Sequence, residues 1–159
     1  MAAKPLKVYL DTSVFNFAVS TQDVPREKEL TVKFLVHIQK GEFEGFISGL
    51  VIDEIRKAPP EKQEDLLKVV AQVPLESLPL NDEVKALADR YIQEKIIPEK
   101  ESDDALHIAV ASVYGLDAIV SWNFEHMVKF KTQREVQGIN ALMGYKMVQI
   151  CSLWEMIEP

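Results

Sequence analysis

The sequence predicts a single α/β domain with a mostly parallel central sheet flanked by helices. Short β-type runs alternate with amphipathic helical stretches along the whole chain, the pattern of strand–helix–strand units. At 159 residues the chain matches one domain, and no linker or repeat interrupts it, so the domain is taken as 1–159. Its residues are 47% hydrophobic, enough for a core, and the lone cysteine, Cys151, excludes an internal disulfide or a thiolate zinc site.

The elements follow in order. Lys7 to Asp11 is a strand feeding a turn, and Thr12 and Ser13 cap a helix beginning near Val14. Leu30, Phe34, Leu35 and Ile38 recur at helical spacing from Pro25 to about Lys40, where Gly41 stops the segment. Glu44 to Ile47 is a second strand. Ser48 caps the next helix, which Pro59-Pro60 end. Residues 61–72 form an amphipathic helix, followed by an extended piece from Leu75 to Leu80. Asn81 caps a helix whose face carries Val84, Leu87, Ala88, Tyr91 and Ile92, and Ser102 opens the most apolar helix, ending at Gly115. Ala118 to Ser121 is a strand, and Asn123 caps a short helix to about Lys129. Phe130 to Tyr145 is polar and glycine-punctuated, so it is expected to be a long loop before a last strand, Lys146 to Cys151.

Eighteen Lys and Arg against 25 Asp and Glu give a net charge of −7, which disfavours coating nucleic acid by bulk electrostatics. That balance still admits an enzyme that meets phosphate through a cation held by carboxylates. No apolar run approaches the ~18–20 residues needed to span a bilayer. The opening MAAKPLKVYLD meets an aspartate before any signal-peptide core could form, so the expectation is a cytoplasmic protein without a membrane anchor.

Three acids fall at strand ends or helix starts, where open α/β sheets bind ligands: Asp11, Glu54 and Asp104. Taken singly, each has a plain reading. Asp11 can serve a turn, Glu54 can be a solvated helix residue paired with Lys57, and Asp104 can cap its helix. Converging at one sheet edge, they would repel one another unless a hard cation such as Mg²⁺ or Mn²⁺ joined them. No histidine or cysteine cluster suits zinc.

The segments KVYLDTSVFN, FISGLVIDEIRKAP and SDDALHIAVASVYGLDAIVSWNFEHM resemble the PIN-domain family in order and spacing, and most closely the VapC-type toxins. The likeness runs from Lys7 to about Ile150. It implies the three-layer PIN fold and a Mg²⁺- or Mn²⁺-dependent ribonuclease, with Asp11, Glu54 and Asp104 as metal ligands. It also implies an RNA substrate, a cognate antitoxin partner and a homodimer. Where the family often carries a further aspartate, this chain has Ser121-Trp122-Asn123, so the site holds three formal charges rather than four. Asn123 is either an uncharged ligand or a helix cap; Asp103 and Glu125 are substitutes nearby, and Asp103, about 100° round the helix from Asp104, ranks second. Ser13 is expected to bond the Asp11 carboxylate or cap the helix.

Other residues have weaker readings. His107 sits one turn from Asp104, as a packed histidine with a hydrogen bond or as a contact to a metal ligand or substrate. Trp122 and His126 are core residues or base-stacking ones, and Lys57, Lys129, Lys131 and Arg134 are either a basic rim or a solvated face. The runner-up functions are a catalytically weak RNA- or protein-binding PIN-like module and an aspartyl-phosphate phosphotransferase. The second lacks the usual aspartate two residues after Asp11, where Ser13 stands.

Overall fold

The computed structural model describes residues 4–125 and 127–157. Five strands, β1 (Leu6–Leu10), β2 (Phe43–Ser48), β3 (Leu75–Leu78), β4 (Ala118–Val120) and β5 (Gln149–Cys151), form one sheet in the order β3-β2-β1-β4-β5. Every pairing is parallel, with Val8 of β1 in register with Gly45 on one side and Ala118 on the other. The central strands are apolar because both faces are covered: Val8, Tyr9 and Leu10 are wholly buried. Gly45 permits the tight packing beside β3, since a Cβ there would stand 2.5 Å from Leu75 Cδ2.

The helices are α1 (Thr12–Ala18), α2 (Pro25–Gln39), α3 (Gly49–Arg56), α4 (Pro60–Gln72), α5 (Asp82–Gln93), α6 (Ser102–Val113), α7 (Phe130–Met143) and α8 (Leu153–Ile157). Helices α1, α2 and α8 pack together, as do α5, α6 and α7, around the sheet in three layers. Helix α6 is buried from Ala105 to Ser112 apart from Leu106, as its apolar sequence requires. Among the described residues no helix is long and apolar enough to cross a membrane.

The chain leaves β1 toward β2 on one side and later returns to the other side as β4. The switch point therefore lies between the carboxyl ends of β1 and β4, where α/β sheets open a crevice. Asp11 and Ser121 follow those two ends directly.

Several expectations need correction. Phe130 to Tyr145 is no loop: residues Phe130–Met143 form α7. Its buried stripe is Thr132, Val136, Ile139 and Asn140, helically spaced but half polar, so hydrophobic periodicity alone does not reveal it. Asn140 is satisfied by Tyr91 (Oη to Oδ1) and by Ser112 (Nδ2 to Oγ, 2.9 Å), which lock α7 to α5 and α6. Gly144, at φ +82°, ends the helix in the left-handed region that glycine favours. Asn123 caps no helix, because residues 124, 125 and 127–129 run as turns and bends, with Met127 and Val128 N–H donating to the Asn123 carbonyl. At α1 the cap is Asp11, not Thr12 or Ser13. Ser48 stands at the start of α3 but its side chain makes no capping bond. Helix α8 is an addition to the elements expected from sequence, and His126 lies outside the described residues.

Candidate active site

Asp11, Glu54 and Asp104 reach one cavity of about 290 Å³ at the switch point, together with Thr12, Ser13, Asn16, His107 and Asn123. Each carboxylate comes from a different element. Asp11 follows β1 and caps α1 through a bond from Ser13 N–H to Oδ1 (3.1 Å). The Ser13 hydroxyl donates to the same oxygen, and Ser121 Oγ donates to Oδ2 at 2.6 Å. Ser13 and Ser121 thus hold Asp11 from both sides. Both hydroxyls in turn accept backbone N–H groups, Trp122 to Ser13 and Asn123 to Ser121, each at 2.9 Å, so the turn after β4 is pinned to the site.

Glu54 projects from α3. Its Oε1 accepts from Thr12 Oγ1 at 2.7 Å and from His107 Nε2 at 2.6 Å. Asp104 stands in the first turn of α6, but the residue before that helix is Glu101 and Asp104 does not cap it. Its Oδ2 accepts from Asn123 Nδ2 at 3.0 Å. Asp103, about 100° round the helix, does not line the cavity, nor does exposed Glu125.

The electrostatics follow from crowding. Burial raises the Asp11 carboxyl above its ordinary range, against the opposing pull of His107, Ser121 and Ser13. Asp104 is pushed up to about 6, by burial first and then by the Asp11 charge. Burial would raise Glu54 too, but the hydrogen bond and charge of His107 and the Thr12 hydroxyl outweigh it, and its pKa is lowered. Burial disfavours the charged His107 ring, yet the Glu54 hydrogen bond and the surrounding carboxylates hold its pKa above the usual value.

These residues fit a hard cation. All three candidates offer carboxylate oxygens, and two of them have raised pKa values that a positive charge would relieve. Among the described residues no three His, Cys, Asp or Glu side chains are grouped closely enough to hold one ion directly. Each carboxylate is instead drawn to a neighbouring donor: serines at Asp11, Thr12 and His107 at Glu54, Asn123 at Asp104. Mg²⁺ commonly keeps several waters and takes only one or two carboxylates, so a hydrated ion suits this donor set.

Trp122 is core, not a base platform: it is 6% exposed, stacks on Phe17 and donates from Nε1 to Thr31 Oγ1 at 2.8 Å. Lys57, Lys129, Lys131 and Arg134 are exposed and none of them lines the cavity, but the charge of Lys57 reaches Glu54 and helps to lower its pKa. Sequence reasoning misses Asn16. Its position three and four residues after Ser13 and Thr12 places it on their face of α1, a signal present in the spacing.

No family model matches the chain, and no curated protein matches it in sequence. Solved structures do. VapBC2 of Rickettsia felis, bound to a DNA fragment from its promoter, matches with a TM-score of 0.59 at 14% identity, over 92% of this chain and 98% of that one. The chain has the fold of a VapC-type PIN domain. FitAcB of Neisseria gonorrhoeae matches at TM-score 0.56 and 16% identity, covering 92% of this chain and 98% of its own. So does VapC20 of Mycobacterium tuberculosis, a Sarcin-Ricin loop cleaving toxin, at 0.55 and 11% over 89% and 98%. The candidate carboxylates of this PIN-fold chain gather at the carboxyl end of its sheet, around β1 and β4.

Proposed function

We propose that the chain is a Mg²⁺- or Mn²⁺-dependent endoribonuclease and the toxin of a toxin–antitoxin pair. The observation that carries this reading is the meeting of Asp11, Glu54 and Asp104 in one cavity at the switch point of the sheet. Its support is the fold shared with a Sarcin-Ricin loop cleaving toxin. Among the described residues no Lys or Arg lines that cavity, and its basic side chain, His107, is bonded to Glu54.

A bound divalent cation would supply Lewis-acid stabilisation of the phosphorane charge and acidify a water for attack. The chain's residues do the rest. Asp11 is held rigid by Ser13 and Ser121, and Glu54 by Thr12 and His107, so both present fixed oxygens. An Asp104 carboxylate not taken up by the ion can accept the proton of the attacking water, since burial and the Asp11 charge make it more basic than an ordinary aspartate. Asn123 orients Asp104 through its amide. No side chain need form a covalent intermediate.

The partners of this reading are an RNA substrate, an antitoxin and a second copy of the chain. The antitoxin is supported by matched structures that are VapBC complexes. Purified protein tests the core of it: RNA cleavage dependent on Mg²⁺ or Mn²⁺, lost with EDTA and lost in Asp11→Asn, is expected. RNA bound but never cut, with every metal tried, would favour the binding-module alternative, to which the uncharged Asn123 gives its support.

A further inference from the structure

We propose that His107 is a positioning residue that fixes the Glu54 carboxylate, and that Tyr9 and Ser48 fix His107. The inference rests on the ribonuclease reading and extends the hold on Glu54 through His107 to Tyr9 and Ser48, which that reading does not use.

His107 is 2% exposed on the apolar helix α6, and both of its ring nitrogens are committed. Nε2 lies 2.6 Å from Glu54 Oε1, and Nδ1 lies 2.7 Å from the Tyr9 hydroxyl. That hydroxyl is in turn 2.8 Å from Ser48 Oγ, with Tyr9 and Ser48 both wholly buried. The chain of bonds crosses the fold, from the end of β2 to β1, α6 and α3. A buried histidine needs partners for both ring nitrogens, and here one partner is the core hydroxyl of Tyr9 while the other is a cavity carboxylate.

The direction of the bond to Glu54 follows from chemistry. A carboxylate only accepts, so Nε2–H is the donor whatever charge the ring carries. Tyr9 fixes the orientation, because rotating the ring by half a turn would lose both nitrogen contacts. Thr12 donates to the same oxygen, so Oε1 is engaged twice and Oε2 is the oxygen with no hydrogen-bond donor among the described residues. A helix glutamate otherwise samples many rotamers in water. The Tyr9–His107 pair selects one of them. Partners that orient ligating side chains are worth on the order of 10–100-fold in metal affinity or activity.

The test uses the full chain with His107→Leu, His107→Gln and Tyr9→Phe. Cleavage kinetics, Mn²⁺ affinity by calorimetry and melting temperature are measured for each. His107→Leu should lower kcat and weaken Mn²⁺ by roughly 10–100-fold each, with the RNA KM unchanged because His107 is proposed to act through Glu54. His107→Gln can place an amide N–H near the Nε2 position and should recover most of both losses. If His107→Leu does not fold, Tyr9→Phe carries the test, with a smaller fall in kcat at constant KM. Wild-type kcat and Mn²⁺ affinity in the folded variants would overturn the proposal, as would equal losses in Leu and Gln. A wild type that neither binds Mn²⁺ nor cuts RNA would overturn the ribonuclease reading and this inference together; an active wild type with indifferent variants overturns this inference alone.

Discussion

Replacing Asp104 by asparagine probes the electrostatics of the cavity while nearly preserving its shape, since the amide oxygen of the substitute can still accept from Asn123. The Asp104 carboxyl is pushed from 3.8 to about 6 by burial, then by the charges of Asp11 and Glu101, against the weaker pull of His107 and the Asn123 amide. The folded protein therefore holds this proton more tightly than the unfolded chain does. The stability that results is fully present below pH 3.8 and is lost as pH rises through about 6. The gap between the two values corresponds to ~3 kcal/mol before screening. Asp104 is only partly buried, so solvent reduces this to ~1–2 kcal/mol. Asparagine cannot ionise and lacks this loss. Urea unfolding in EDTA at several pH values should show the variant gaining ~1–2 kcal/mol on wild type between about pH 4 and pH 8, roughly 2–8 °C in Tm. Parallel stability profiles across that range would refute the reasoning, because Asp104 would then feel neither burial nor its neighbours.

Asp11→Asn should fold and, without divalent ions, melt at or above the wild-type temperature, since a buried and disfavoured charge is removed; cleavage should be lost. The Ser121 hydroxyl can turn to accept from the new amide, which is why no large folding cost is expected. Asn123→Asp should lower stability in EDTA by setting a second carboxylate beside Asp104, and should tighten Mn²⁺ and raise turnover when the ion is supplied. Asn123→Ala should stay within ~1 kcal/mol of wild type, since no helix end depends on it, while turnover falls. Tyr91→Phe should cost ~1–3 kcal/mol in urea unfolding, because it leaves Asn140 Oδ1 buried without its donor, and cleavage per folded molecule should not change.

The sheet, most helices and the positions of Asp11, Glu54 and Asp104 were legible because local signals agreed with the global fold. A short run with a β-branched and an aromatic residue, Val8 and Tyr9, ended at an acid, and helical periodicities were bounded by proline, glycine and Asn81. Helix α7 was illegible because its buried face is half polar. Thr132 and Asn140 look solvated in the sequence, and Asn140 is made tolerable by Tyr91 and Ser112 from other helices. The role of Asn123 was ambiguous for the same reason. Asparagine is both a good cap and a good long-range donor, and the acceptor that decides between them, Asp104, is 19 residues away. His107 could be placed one turn from Asp104, but its bonds to Glu54 and Tyr9 span 53 and 98 residues and are visible only in the fold. Site chemistry that depends on local order was readable, and chemistry that depends on which distant donor meets which acceptor was not.

The central claim is that the cavity of Asp11, Glu54 and Asp104 takes up a hydrated divalent cation through one or two of these carboxylates. A crystal of the wild-type chain grown with Mn²⁺ and measured for anomalous scattering tests it most directly. The account predicts an anomalous peak inside the cavity bounded by Asp11, Glu54 and Asp104, with the peak absent in Asp11→Asn crystals soaked identically. A fully occupied Mn²⁺ elsewhere on the surface, with the cavity carboxylates still bonded to Ser13, Ser121, His107 and Asn123, would contradict it.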